Sequence, residues 1–171
     1  MPKLIELKDG LCRTVPDTFT RVGDDGDLPN GDVILSLARF QTDGDRLLSE
    51  GRRVGVVLAA HEEVEALTYD LPRLALVALD FPKFRDGRAY TNARLLSDRF
   101  GFKGQIRAVG DVLREQAGFM VRVGFNAFEP ADDASVNEWQ AAMGRYRHVY
   151  QRSSDARAPA FAERAFAERA S

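Results

Sequence analysis

Two unbroken apolar runs of six residues, Val54–Ala59 (VGVVLA) and Leu74–Leu79 (LALVAL), constrain this chain more than any other feature. Each is far too short to span a membrane. Each also lacks the alternation of a half-solvated strand, so each reads as a β-strand buried on both faces. Between them, Glu62–Leu71 sets Val64, Leu67 and Leu71 on one helical face and stops at Pro72. The same grammar continues downstream. Arg88–Phe100 reads as a helix with Ala89, Ala93, Leu96 and Phe100 inward and Gly101 placed to end it. Gln105–Val109 is a third strand, and Asp111–Val123 a third helix, with Asp111 as its N-cap and Gly124 as its C′ residue. Asn126–Glu129 is a short fourth strand. Strands alternating with helices specify an α/β fold whose sheet is mainly parallel and built by right-handed crossovers.

The third strand narrows the architecture. Gln105, Arg107 and Val109 share one face, and Ile106 and Ala108 the other. A polar pair on an interior strand suits a barrel lumen or cleft mouth better than a helix-covered face. The expected sheet is therefore an arc of consecutive βα units, like half a barrel. Four strands cannot close a barrel, so the open face must be covered by the N-terminal segment or by a second copy, the basis for expecting a homodimer.

The flanks are simpler. Leu4–Leu7 and Leu11–Val15 enclose Lys8-Asp9-Gly10, a β-hairpin whose Asp-Gly pair suits positive φ. Pro16 to Asp32 is polar and turn-rich, an exposed loop. Val33–Leu37 is a short apolar run compatible with a strand that turns helical toward Phe40, and its length leaves its type open. Ser135-x-x-Glu138 is a capping box opening a helix that buries Val136, Trp139, Met143, Tyr146 and Tyr150. Residues 1–150 thus form one domain. The tail from Gln151, with FAERA twice over, puts Phe161 and Phe166 on different helical faces and reads as disordered or frayed.

Composition excludes several function classes. Lys+Arg 24 against Asp+Glu 26 leaves a net charge of -2, with no global excess to draw nucleic acid or anionic lipid. The single cysteine, Cys12, permits neither an internal disulfide nor a cysteine-based metal cluster. His61 and His148 have no metal-ligand spacing, and no Gly-x-Gly-x-x-Gly or P-loop is present. No metal and no cofactor are expected, and the protein should purify without flavin, haem or iron–sulfur absorbance. With no signal-peptide h-region, the expected compartment is the cytoplasm.

Ligands of parallel α/β folds bind beyond the carboxyl ends of the strands. The richest such end here is Asp80-Phe81-Pro82-Lys83-Phe84-Arg85-Asp86-Gly87-Arg88. Its cations lie beside a helix N-terminus, where an oxyanion can be held. The candidate ligand-binding residues are Asp80, Lys83, Asp86, Arg88, Arg107 and Asp111. The structural alternative makes Asp86 an N-cap, Phe81 and Phe84 core plugs, and Arg85 a solvated cation. Arg107 is either a lumen cation for an anionic ligand or a buried partner of Asp80 or Asp111.

The run LALVALDFPKFRDGRAYTNARLLSDRFGFKGQIRAVGDVLREQ, followed by RVGFNAF, resembles a bacterial domain-of-unknown-function family, number 934. The likeness covers about Val54 to Phe128, and FPKFxDGRAY and RAVGDVLRxQ are its specific portions. That family is typically encoded beside assimilatory sulfite reductase, so the resemblance implies an accessory role in sulfite reduction and cysteine supply. The chain departs from the family pattern at Ser97 (Arg expected), Gln105 (Glu), Val123 (Cys) and Asn126 (Asp), which argues against catalysis through those positions. The leading expectation is an accessory protein that binds a small oxyanion or docks on sulfite reductase. The alternatives are an enzyme acting on a sulfur or phosphate compound at the strand ends, and a structural dimerisation scaffold.

Overall fold

The computed structural model describes residues 4–169. Its strands are β1 (Leu4–Lys8), β2 (Leu11–Val15), β3 (Thr20–Arg21), β4 (Val33–Ser36), β5 (Val54–Leu58), β6 (Leu76–Phe81), β7 (Gln105–Gly110) and β8 (Ala127–Phe128). Its α-helices are α1 (Leu37–Ser49), α2 (Arg88–Arg94), α3 (Ala117–Arg122), α4 (Val136–Met143) and α5 (Ala160–Arg169). All eight strands join one curled, half-barrel sheet in the order β2-β1-β8-β7-β6-β5-β4-β3. From β3 to β8 every neighbouring pair is parallel, and the hairpin adds to β8 antiparallel. The expected arc of consecutive βα units, preceded by a hairpin, is the observed fold.

Because each new strand is added on the same side of the last, the crossovers fall on one face of the sheet. The main core lies there. Val33, Leu35, Val54, Val56, Val77, Leu79, Ile106, Ala108 and Phe128 meet Phe40, Leu47, Ala93, Leu96, Met120 and Trp139 from the helices. The concave face has its own small cluster of Ile34, Leu76, Ala78 and Val109, with Phe19 and Val57 packed on it. The period-two split of β7 is therefore real: Ile106 and Ala108 face the helices, while Val109 lies on the concave side.

The hairpin turn has Asp9 at φ 52° and Gly10 at φ 77°, the left-handed pair an Asp-Gly turn provides. Gln140 of α4 ties the hairpin to the body: its side chain accepts from Cys12 N–H at 2.7 Å and donates to Gly10 C=O at 3.1 Å. Ser36 ends β4 and caps α1 by accepting from Arg39 N–H. The capping box at Ser135 and Glu138 forms as expected.

Three expectations are corrected. Glu62–Leu71 forms two short 3₁₀ turns, Val64–Leu67 and Leu71–Arg73, instead of one helix, with Pro72 inside the second. Asp111–Val123 is also shortened, to a 3₁₀ turn at Arg114–Gln116 followed by α3. Asp111 does not cap it; its carboxylate instead accepts from Phe84 N–H at 2.7 Å, across to the neighbouring loop. Finally, α4 stops at Met143, so Trp139 is fully buried but Tyr146 and Tyr150 are exposed. The loop expected from Pro16 to Asp32 is exposed over much of its length. It also supplies β3, and it lays Phe19 against the concave face.

The concave face is thus covered by the chain's own N-terminal segment, which removes the reason for expecting a second copy there. Beyond Gln151 the chain is held to α3: Arg122 pairs with Asp155 at 3.0 Å and bonds the Gln151 carbonyl at 2.5 Å. Helix α5 follows, with Phe161 and Phe166 both exposed. Among the described residues no helix is long and apolar enough to cross a membrane.

Candidate functional site

The strand-end loop from Asp80 to Arg88 does not gather its cations. Lys83, Arg85 and Arg88 are all exposed. Arg88 turns back on Asp86, its Nε 2.9 Å from Oδ1 and its Nη2 2.5 Å from Oδ2. This bidentate bond, with the Arg88 N–H, pulls the Asp86 carboxyl down to about 2. Asp86 therefore consumes the cation best placed to receive an anion. Its carboxylate also accepts from the N–H of Arg88, the first residue of α2, at 3.2 Å, although Gly87 holds the N-cap position. The loop is anchored through its backbone. Phe84 N–H donates to Asp111, and the Phe84 carbonyl accepts from Gln116 Nε2 at 3.2 Å. Phe81 is a buried plug, packed edge-on against Tyr90 at 5.3 Å, whereas Phe84 stays 46% exposed.

Arg107 is only 1% exposed and is paired, but with neither Asp80 nor Asp111. Its guanidinium bonds Asp17 through two contacts, 2.7 and 3.2 Å, and Glu129 at 3.0 Å. Its Nε donates to Gln105 Oε1 at 2.8 Å, and Gln105 Nε2 donates to Glu6 at 2.6 Å. Phe19 lies beneath the guanidinium at 5.9 Å and beneath Arg53 at 4.8 Å. Four of the five N–H donors of Arg107 are used inside the fold. Asp17 comes from the segment expected to be loop, so sequence spacing gave no sign of the pair.

Asp80 takes a different place from the rest of its loop. It shares the concave face with Ala78, at the carboxyl end of β6, opposite Val109. There it lines an open cavity of about 420 Å³ together with Arg21, Asp24, Ser36 and Glu62. Burial pushes its carboxyl above the ordinary range; Arg21 opposes this and Asp86 adds to it. Gly110 makes room. Its φ is +91°, and a Cβ there would lie 2.5 Å from the Phe81 carbonyl and 2.7 Å from Asp80 Oδ1. Of the six residues singled out from sequence, then, Asp80 alone lines this mouth. Arg21 and Asp24 were missed because their segment carries turn signals, and Ser36 because it sits in a short apolar run. The sole hint was the alternation Asp17, Phe19, Arg21.

The opposite side of the molecule carries a second concavity. The chain beyond α4 runs beside α3 and leaves a largely apolar groove of about 340 Å³, lined by Phe119, Met143, Tyr146, Val149 and Tyr150. Phe119 is 62%, Tyr146 60% and Tyr150 85% exposed. A neighbouring hollow joins Phe119 to Tyr90 and Val123. Two arginines frame the groove, Arg122 on Asp155 and Arg157 on the Tyr146 and Arg147 carbonyls.

Cys12 is half-buried, its thiol pushed up by desolvation and its Sγ 3.3 Å from Met143 Sδ. His148 lies 2.6 Å from Glu163, and His61 is exposed. Among the described residues no group of three or more His, Cys, Asp or Glu side chains is placed to hold a metal ion.

Residues 55–161 match the model of a family described as a bacterial protein of unknown function, DUF934. No curated protein matches the chain.

Proposed function

The chain belongs to this bacterial family of unknown function, and from that premise we propose that it is an accessory protein of assimilatory sulfite reduction that docks on sulfite reductase. The pathway rests on the resemblance of FPKFxDGRAY and RAVGDVLRxQ to a family encoded beside that enzyme. The mode of action rests on one observation, the exposed aromatic groove beside α3. Aromatic residues clustered at a rimmed concavity are the commonest anchors of protein interfaces. The loop cations point to solvent and Arg88 is already paired, which weighs against a free oxyanion as ligand.

Deletion in the host, with growth compared on sulfate, sulfite, sulfide and cysteine, tests the pathway. Growth should fall on sulfate and sulfite and recover on sulfide and cysteine. Normal growth on sulfite sinks the proposal. For the docking surface, the purified chain is titrated against purified sulfite reductase, as wild type and as Phe119→Ser/Tyr146→Ser. These exposed positions carry little of the core, so the double variant should melt like wild type and lose binding. Retained binding overturns the assignment to this groove. Light scattering of the free protein covers the remaining occupant: a dimer that the double variant dissociates makes the groove a self-interface.

A further inference from the structure

The mouth of the half-barrel carries an unpaired pair of opposite charges. Arg21 and Asp80 line the same cavity and influence each other electrostatically, yet they form no ion pair within 4.0 Å. Neither side chain has a hydrogen-bond partner among the described residues, while nearly every other charged group around them does. Asp24 accepts from Ser36 Oγ at 2.5 Å, Glu62 from Ala59 N–H at 2.7 Å, and Arg53 pairs with Asp32. The register explains why the two face each other. Arg21 pairs with Ile34 on β4, and Asp80 follows Ala78 on β6, so both project from the concave face at the strand ends.

The surroundings divide the cavity into two ends. Arg21 and the first turn of α1, where Ala38 lines the wall, offer positive charge and helix N–H groups to an anion. Asp80, with the spare oxygens of Asp24 and Glu62, offers acceptors to a cation. Val57 and Ala59 supply an apolar floor between them. The volume of about 420 Å³ lies within the range of small-molecule sites. A parallel sheet binds ligands at this end of its strands.

We propose that this mouth binds a small zwitterion of the α-amino-acid class, its carboxylate on Arg21 and its ammonium on Asp80. A molecule with both charges matches both groups, Asp80 in the half-buried wall and Arg21 on the solvent side of the mouth. A plain anion meets the surplus of carboxylates, and a plain amine leaves Arg21 unmatched. This inference does not depend on the docking groove, which lies on the helix-covered side.

The test is isothermal titration of the full chain with each of the twenty protein amino acids, with propylamine and propionate as probes bearing one charge each. At least one amino acid should bind saturably, with a Kd of about 1 mM or tighter. Arg21→Gln and Asp80→Asn should each weaken it by about tenfold or more, the loss of one charge-assisted contact. Both variants must retain the wild-type circular dichroism spectrum and melt cooperatively; should either unfold, Arg21→Lys and Asp80→Glu replace them. The proposal is overturned if no amino acid binds, if binding survives both substitutions, or if either single-charge probe binds as tightly as the zwitterion.

Discussion

Replacing Arg107 by alanine removes the guanidinium on which the concave face is closed. Four hydrogen bonds go with it, two to Asp17 and one each to Glu129 and Gln105. Summing charge-assisted bonds at their gross worth would overshoot, because the freed groups regain some water. The relevant cost is that of stranding buried charge, about 3–5 kcal/mol when one partner of such a pair is deleted. Asp17 and Glu129 keep 16% and 23% of their side-chain surface in solvent, which favours the lower half of that range. A loss of about 3–4 kcal/mol leaves a domain of ordinary stability folded. At roughly 2–4 °C per kcal/mol for this size, melting should fall by about 6–16 °C. Urea unfolding followed through Trp139, the one tryptophan and fully buried against Phe128, measures it directly. Adding Asp17→Ala to the variant should cost less than the two single losses together, by about 1 kcal/mol or more. A single-variant loss under about 1 kcal/mol, or strict additivity in the cycle, refutes the buried network as the seal of this face.

Other substitutions probe the strand ends. Asp80→Asn should stabilise the protein at neutral pH and leave it unchanged in acid. The folded carboxyl binds its proton more tightly than the unfolded one, so stability falls as pH rises from the unfolded pKa through the folded one. Arg21 opposes this and Asp86 reinforces it. Melts across pH 3 to 8, on the order of that titration range, should show the two proteins diverging upward from acid; parallel curves contradict the desolvated position. Gly110→Ala should destabilise by about 1–3 kcal/mol, since a Cβ at φ +91° meets the Phe81 carbonyl. A wild-type urea midpoint would show that the strand end relaxes freely. Arg88→Ala removes only an exposed pair with Asp86, so its melting curve should overlay wild type; a clear drop would mean the loop leans on that contact.

What the sequence made legible follows from which physical signals are local. Double-sided burial leaves a continuous apolar run, so β5 and β6 could be read directly, with their ends displaced by two residues at Leu74–Leu76. The polar pair on β7 revealed the concave face because its side chains alternate with the apolar Ile106 and Ala108 that face the helices. Helices were overread where apolar spacing alone supported them. Glu62–Leu71 and Asp111–Val123 have the right stripe yet form 3₁₀ turns or a stub of helix. Crossover length is not the cause, because the equally long connection from β4 to β5 holds the 13-residue α1. Tyr146 and Tyr150 continue the helical spacing of α4 but lie past Gly144, where the helix ends. The mouth was least legible. Asp80 was singled out from its strand end, but its partners come from a turn-rich segment some sixty residues earlier, and that closure is a tertiary fact.

That segment also explains why Arg107 matters to the site without touching it. An open arc of parallel strands must hide the face that a closed barrel would fill with side chains. Phe19 does so over Ile34, Leu76, Ala78 and Val109, where the face is apolar. Toward β7 and β8 the face carries Gln105, Arg107 and Glu129, and only a charged partner can sit there without leaving a polar group unsatisfied. Asp17 is that partner, and its two-point bond fixes where the segment begins its pass across the sheet. Alternation then does the rest. With Asp17 and Phe19 held inward, Arg21 is inward as well and pairs in register with Ile34, while Val22 turns to the main core. A slip of one residue would send Arg21 into that core and Val22 to the mouth, at the cost of a buried charge. Arg107 is thus a positioning residue. By anchoring Asp17 in the depth of the half-barrel, it decides which side chain of the N-terminal segment faces Asp80 at the rim.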